Sequence, residues 1–372
     1  MAQPSYRRHG TGDASMMTYS AARLRNAQSP RQGFAVLLNA NAKQVDEALR
    51  ASLQRVVPES DLYFSRTAGE AHEIAEAVVV RGYGTVFTGG GDGTFVGWVN
   101  HILDGAERRG VTAPRFGVLA LGTGNAVAEV VGARRSAHIE ELAAFATGAA
   151  RRVRRMELLT CGGKRTPFAG VGVDAAVLND YYWLKERLSG TALRRLSAGI
   201  PGYALSAALR TAPRYLAERR SAYCEITNLG GPAYRLDGQG RQVGAPVGQG
   251  EPLYAGPCML AAASTVPFYG YGMRAFPFAE ARPGMLQLRI ATELSVPSVV
   301  WNLPRIWSGE WCSPSLIDFH AERVRVQFDR PMPLQVGGDA EGWREEVTFA
   351  IAPPGVEMID FTPTLPRPTL VN

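Results

Sequence analysis

Apolar residues along this chain fall into two textures, and the change comes near residue 155. From Gly33 to Arg155, short apolar runs alternate with stretches whose apolar residues recur every three or four positions. GFAVLLN (33–39) has the length and continuity of a buried strand, and KQVDEALRASLQRV (43–56) follows with Val45, Leu49, Leu53 and Val56 on one helical face. DLYFS (61–65), GTVFTG (84–89) and FGVLAL (116–121) predict three more strands. GEAHEIAEAVVVRG (69–82) and the stretch running through VGWVNHILDG predict helices between them. Such alternation with short links predicts a parallel sheet covered by helices, with ligands at the C-terminal ends of its strands.

Beyond Arg155 helical patterning survives only in 179–220 and in VPSVVWNLPRIW (296–307). The remainder consists of short β-type runs divided by Gly and Pro: SAYCEITNL, LYAGPCMLAAA, GMLQLRIA, VRVQFD and EVTFAIA. These predict an antiparallel, β-rich second domain, a sandwich or partial barrel, with 237–250 as a surface loop. The polar opening stretch lacks an apolar segment of the secretory type and predicts a flexible leader. The expected organisation is therefore a leader over 1–32, an α/β domain over 33–155, and a β-rich domain over 156–372 whose last residues return to the first. No run of 18 apolar residues predicts a membrane-spanning helix. The expected location is the cytoplasm, peripheral to the inner face of the membrane.

Composition adds little until it is localised. The 372 residues, 46% apolar, suffice for two cores without covalent staples. Cys161, Cys224, Cys258 and Cys312 form no CxxC pair and read as reduced thiols rather than a disulfide framework or zinc site. The net charge of +6 is concentrated in 179–220, where eight basic residues face three acidic ones. Tyr, Trp and Leu mixed with those arginines suit a helix at a membrane surface, and equally an amphipathic helix with a solvated basic face. No nucleic-acid partner is expected. An edge strand in the second domain is compatible with a homodimer.

The strongest chemical signal is TGGGDGT (88–94), directly after a predicted strand and before a predicted helix. Gly89, Gly90, Gly91 and Gly93 let the backbone approach a ligand closely, and N–H groups at the helix start can converge on a phosphate. Asp92 would repel a bare anion and makes sense if Mg²⁺ bridges carboxylate and phosphate. LGTGN (121–125) repeats the arrangement at the end of the next strand, so Gly122, Thr123, Gly124 and Asn125 form a second wall of one site.

GGDGT followed after about thirty residues by GTGN resembles the catalytic domain of the diacylglycerol-kinase family, which includes bacterial lipid kinases and sphingosine and ceramide kinases. The resemblance continues from Phe34 through nearly the whole chain. LLNANAK (37–43), with Asn39, sits where the family has its Asn-Pro phosphate-loop segment, and TAGEA (67–71) matches a segment whose Thr, here Thr67, contacts nucleotide phosphate. AGVGVDAAV (169–177) is similar to the opening of the family's second domain, and PFYGYGMRAFPFAEARPGML (267–286) to its Gly-Gly-Met stretch. QVGGDAEG (335–342) resembles the segment that supplies the acid–base carboxylate.

What the resemblance implies is an N-terminal parallel-sheet nucleotide-binding domain of NAD kinase/diacylglycerol kinase type, a C-terminal β-rich sandwich, and a site in the cleft between them. ATP and Mg²⁺ are the implied cofactors and a lipid hydroxyl the implied acceptor, diacylglycerol- or sphingoid-type. Gly90, Gly91, Gly93 and Thr94 are expected on the triphosphate, Asp92 on the metal, and Asp339 as base, with Glu341 as its nearby substitute. The chain departs from the family at Phe95, Val96 and Gly97, where Ile-Asn-Glu is usual, and at Ala126, where Asp is usual. It has Gly337-Gly338-Asp339 for Asp-Gly-Glu, and Pro283-Gly284 where a structural metal binds in the family. An NAD-kinase-like enzyme and a catalytically impaired nucleotide-binding sensor or scaffold are the alternatives.

Overall fold

The computed structural model describes residues 33–42, 44–122, 124–149, 152–188, 202, 205–211, 213 and 222–363. Thr123, the leader and much of the basic 179–220 stretch lie outside the described residues. The first part alternates as the apolar pattern predicts: β1 (Phe34–Asn39), α1 (Glu47–Leu53), β2 (Leu62–Ser65), α2 (Ala68–Arg81), β3 (Thr85–Gly90), α3 (Asp92–Arg109) and β4 (Arg115–Ala120). Two short helices follow, α4 (Ala126–Val130) and α5 (His138–Ala146). β2, β1, β3 and β4 lie side by side in that order, all parallel, with Phe34 opposite Thr85 and Gly90 opposite Ala120.

Local chemistry sets the helix ends. The first helix starts at Glu47, where the Asp46 carboxylate caps it by accepting the Leu49 N–H. Thr67 caps α2 by accepting the Glu70 N–H, and the Glu70 carboxylate accepts the N–H of Arg66, the residue before the cap. Gly82 and Gly110 end α2 and α3 in the left-handed conformation. Phe95, Val99, Ile102 and Ala106 form the buried stripe of α3, which packs with α2 on one face of the sheet. Leu49, Leu53 and Leu142, from α1 and α5, cover the other face with Val36, Leu38 and Phe87. Each fully buried Phe or Leu contributes about 2–3 kcal/mol relative to exposure.

The second part is antiparallel. β5 (Val153–Cys161), β6 (Lys164–Thr166), β7 (Phe168–Gly172), β8 (Tyr223–Asn228), β9 (Tyr234–Leu236), β10 (Pro252–Pro257), β11 (Leu260–Ser264), β12 (Leu286–Ala291), β13 (Leu316–Ala321), β14 (Arg323–Val336) and β15 (Asp339–Ile359) enclose a second core that includes Val171, Ile226, Leu288, Val326 and Phe349. Among the described residues three α-helices, α6 (Val173–Leu188), α7 (Val296–Trp301) and α8 (Leu303–Ser308), and a π-helical turn at Ala207–Thr211 interrupt it. LYAGPCMLAAA divides into two strands with different partners, β10 on β8 and β11 on β7 and β12.

The two parts share one hydrogen-bonded sheet, and β15 makes the join. It pairs with β14 and β5 over most of its length and reaches β4 in parallel at Met358 and Phe116. Among the described residues, no helix is long and apolar enough to cross a membrane.

Candidate active site

The ends of β1, β3 and β4 bring Asn39, the 90–94 turn and the 121–125 turn to one edge of the sheet. The two glycine turns touch backbone to backbone: a Cβ on Gly122 would sit 2.1 Å from the Gly91 Cα. Gly90 has no room for a side chain beside Thr94, whose hydroxyl accepts from the Asn39 amide at 3.2 Å. Gly89 is a strand residue whose bare α-carbon admits Leu38 and Leu121, so its position is one of packing.

Asp92 opens α3 and is buried. Its carboxylate crosses to the neighbouring turn and accepts the Ala126 N–H at 2.9 Å and the Val127 N–H at 3.0 Å. It thus caps the first turn of α4, whose N-cap residue Asn125 makes no side-chain capping bond. Burial pushes its pKa up, against those two hydrogen bonds and the Arg135 charge, which pull it down. Asn125 braces the same turn from a left-handed backbone (φ 57°), exchanging bonds with the N–H and C=O of Gly122 at 3.1 and 2.8 Å. Thr67 spends its hydroxyl on the α2 cap, at the same edge.

A roof lies over these turns. In the 267–273 stretch Gly270, Tyr271 and Gly272 all have positive φ, and the Tyr271 N–H donates to the Gly124 carbonyl at 2.9 Å. Arg135 reaches the same carbonyl at 3.5 Å, placing a cation beside the loop.

The opposite wall is the tip of the β14–β15 hairpin, a two-residue Gly337-Gly338 turn with both φ positive. Phe168 accepts the Gly337 N–H at 3.0 Å, and the Gln335 side chain accepts the Gly338 N–H at 2.9 Å. Asp339, the first residue of β15, is exposed as a whole, but its carboxylate turns inward: a Cβ on Gly93 would sit 2.4 Å from Oδ2. Desolvation raises its pKa, Lys164 lowers it and Glu341 raises it, with a net upward shift. Glu341 itself is ion-paired with Lys164 of β6.

Beneath the hairpin, Tyr269 and Gln335 both donate to Oδ2 of Asp174 at the start of α6, while Oδ1 of that carboxylate is buried without a partner. Asp174, Tyr269, Gln335, Lys164 and Arg135 were not singled out from the sequence as site residues. Asp174, Tyr269 and Gln335 lie inside the family-like segments 169–177, 267–286 and 335–342, which gave them no role of their own, whereas Lys164 and Arg135 are polar residues without local pattern.

The departures from the family pattern have physical consequences here. Phe95 and Val96 face inward, Phe95 edge-on to Phe116 at 6.3 Å, and Val96 against Gly337. At Pro283-Gly284 the Gly284 N–H donates to the Glu157 carboxylate at 2.9 Å. Among the described residues no group of three or more His, Cys, Asp or Glu forms a metal cage. Both Asp92 oxygens accept backbone N–H groups, so the described residues would meet a Mg²⁺ ion only as one held chiefly by phosphates and water, the coordination this metal favours in such sites.

The comparisons bear on the family and the fold. Residues 34–160 match the family model described as the diacylglycerol kinase catalytic domain, and residues 208–359 match the YegS C-terminal NAD kinase beta sandwich-like domain. Two solved structures from Bacillus anthracis str. Sterne, each described as a candidate diacylglycerol kinase, share 15% identity with the chain at TM-scores of 0.58 and 0.59. Both alignments cover 90% of this chain and 98% of the other. A diacylglycerol kinase structure from the same strain aligns over the same shares with 13% identity and a TM-score of 0.56. At these identities the likeness is one of fold. No curated protein matches the chain in sequence. With both family models matched in order, the chain belongs to the diacylglycerol-kinase-like family.

Proposed function

We propose that this protein transfers the γ-phosphoryl group of ATP to the hydroxyl of a lipid, of diacylglycerol or sphingoid type, at a membrane surface. The carrying observation is the seating of the Asp339 carboxylate against Gly93. It puts a candidate base beside the turn whose N–H groups suit a triphosphate. Backbone of Gly90, Gly91, Gly93, Thr94, Gly122 and Gly124 cradles phosphate, and Asp92 and Asn125 hold the two turns in register. Mg²⁺, bound with the nucleotide, supplies charge neutralisation. The acceptor oxygen bonds to the γ-phosphorus, the bond from that phosphorus to the β,γ-bridging oxygen breaks, and ADP leaves. Asp339 takes the acceptor proton, a role helped by a pKa raised above the usual carboxylate range. Glu341, held by Lys164, is the second carboxylate of the hairpin and not the first in line.

The membrane assignment draws on α6. Trp183 is 42% exposed and lies between two arginines, 3.8 Å from the Arg210 guanidinium and 5.5 Å from that of Arg187. Leu209 is exposed as well. Aromatic residues flanked by cations suit an anionic lipid interface.

The test is phosphoryl transfer from labelled MgATP to diacylglycerol and sphingosine in mixed micelles, beside Asp339→Ala. Labelled lipid in the wild type that falls on the order of a hundred- to ten-thousand-fold in the variant supports the reading. ATP binding with no transfer to any lipid, or to NAD, points to a nucleotide-binding sensor. Transfer to NAD alone makes the protein an NAD kinase.

A further inference from the structure

The hairpin that delivers Asp339 is held by a chain of polar contacts that runs back to the helix carrying Gly93. Asn100, two turns along α3, exchanges hydrogen bonds with the backbone of Arg165 in β6: its Nδ2 donates to the Arg165 carbonyl at 2.7 Å and its Oδ1 accepts the Arg165 N–H at 2.8 Å. The same Nδ2 also donates to the Val96 carbonyl at 2.8 Å, which fixes the amide on the helix. The Arg165 guanidinium pairs with Asp104 and with Glu107, the latter at 3.1 Å. Asn100, Asp104 and Glu107 recur at spacings of four and three, so one stripe of α3 grips one residue of β6. The neighbouring residue, Lys164, then pairs with Glu341, two positions beyond Asp339 on β15.

We propose that Lys164 is a positioning residue for Asp339. Through Glu341 it latches the β14–β15 hairpin to β6, and Asn100 and Arg165 fasten β6 to α3. Gly93 and the Asp339 carboxylate are thereby carried by one braced unit, although they come from different ends of the chain. The inference rests on the kinase reading for its catalytic consequence and on geometry alone for the latch. Lys164 is suited to the task because it is only half exposed and its ammonium meets a carboxylate that is three-quarters buried. Among the described residues, the charged and titratable groups facing Asp339 are Lys164 and Glu341, together with Asp92 from α3 and Tyr182 from α6. Of these Lys164 alone is a cation. Tyr182 adds a weaker tie, its hydroxyl lying 3.4 Å from the Gly338 carbonyl.

A base displaced by about 1 Å costs on the order of a hundredfold in rate, and a loosened hairpin that spends part of its time in place costs less. Lys164→Met and Glu341→Gln are each expected to lower kcat on the order of tenfold while the KM for ATP stays within about twofold. The double variant should fall no further than either single one, because both remove the same tie. Lys164→Arg should recover most of the rate, and so should the exchanged pair Lys164→Glu with Glu341→Lys. In the Asp339→Ala background, Lys164→Met should have no further effect.

A raised KM for ATP, or a further loss in the Asp339→Ala background, would mean that Lys164 touches the nucleotide and would overturn the positioning role. Unchanged kcat in both single variants overturns it too. Amide hydrogen exchange at Gly337, Gly338 and Asp339 separates this inference from the kinase reading. If the wild type phosphorylates nothing, that reading fails, and exchange still decides the latch. Faster exchange in Lys164→Met that returns to normal in Lys164→Arg supports the latch, and identical exchange in all three proteins overturns it.

Discussion

The carboxylate of Asp339 occupies the space that a side chain on Gly93 would fill, with Oδ2 2.4 Å from the position of the missing Cβ. On the proposed reading, Gly93 would seat the acceptor-side carboxylate as well as offer an N–H to phosphate. Gly93→Ala should therefore separate activity from stability. Gly93 is helical, where Ala is favoured by roughly 0.5–1 kcal/mol, and the displaced atoms are only the carboxylate end of a side chain. Turnover should fall about a hundredfold, with a melting temperature equal to or above that of the wild type. A large drop in melting temperature would show that the seat serves folding.

Asp92 should behave in the opposite way. Removing it leaves the Ala126 and Val127 N–H groups without their acceptor in a buried setting, at about 1–3 kcal/mol. Asp92→Ala should lower both stability and nucleotide affinity, and Asp92→Asn, which keeps one acceptor oxygen, should recover part of the stability. Urea unfolding beside nucleotide titration checks this; an Asp92→Ala protein of wild-type stability would return the residue to a purely metal-binding role.

The pH profile carries the signature of Asp339. A base works only when deprotonated, so kcat should fall tenfold per unit of pH below its pKa. Its bend should lie above the usual carboxylate range, because burial raises the pKa of this group. Lys164→Met should move the bend further up, since the lysine charge holds the pKa down. A bend at an ordinary carboxylate value in both proteins would place the base elsewhere.

At the membrane, Arg187→Ala should weaken sedimentation with anionic vesicles on the order of fivefold, in keeping with about 1 kcal/mol per basic residue at such a surface. Trp183→Ala should weaken it independently of salt, whereas the Arg187 effect should fade as ionic strength rises. Equal binding of the wild type to neutral and anionic vesicles would remove the electrostatic part of this reading.

Both glycine turns were legible in the sequence because each sits where a buried apolar run stops, a position that only a strand-to-helix turn explains. The bond pattern of Asp92 was not, because its partners lie 34 and 35 residues away and a carboxylate among glycines looks locally like a metal ligand. Lys164 and Asn100 escaped for the same reason at larger separations, 177 and 65 residues. Nothing in KRT or in VNHIL marks a latch until the strands are paired. EVTFAIA predicted a short strand, while β15 is 21 residues long; Pro353, Pro354 and Gly355 break the alternation, and a register shift between Ala352 and Val356 absorbs them.

That strand carries Asp339 at one end and lies against Phe116 of the first lobe near the other. During synthesis the glycine turns emerge with their own strands and helices, long before either end of β15 exists. A nascent chain therefore makes both glycine turns well before the carboxylate that seats against Gly93, and the first core closes only when Val356 and Met358 of β15 reach it. On the kinase reading, the order of manufacture would withhold phosphoryl transfer until β15 has joined the two lobes.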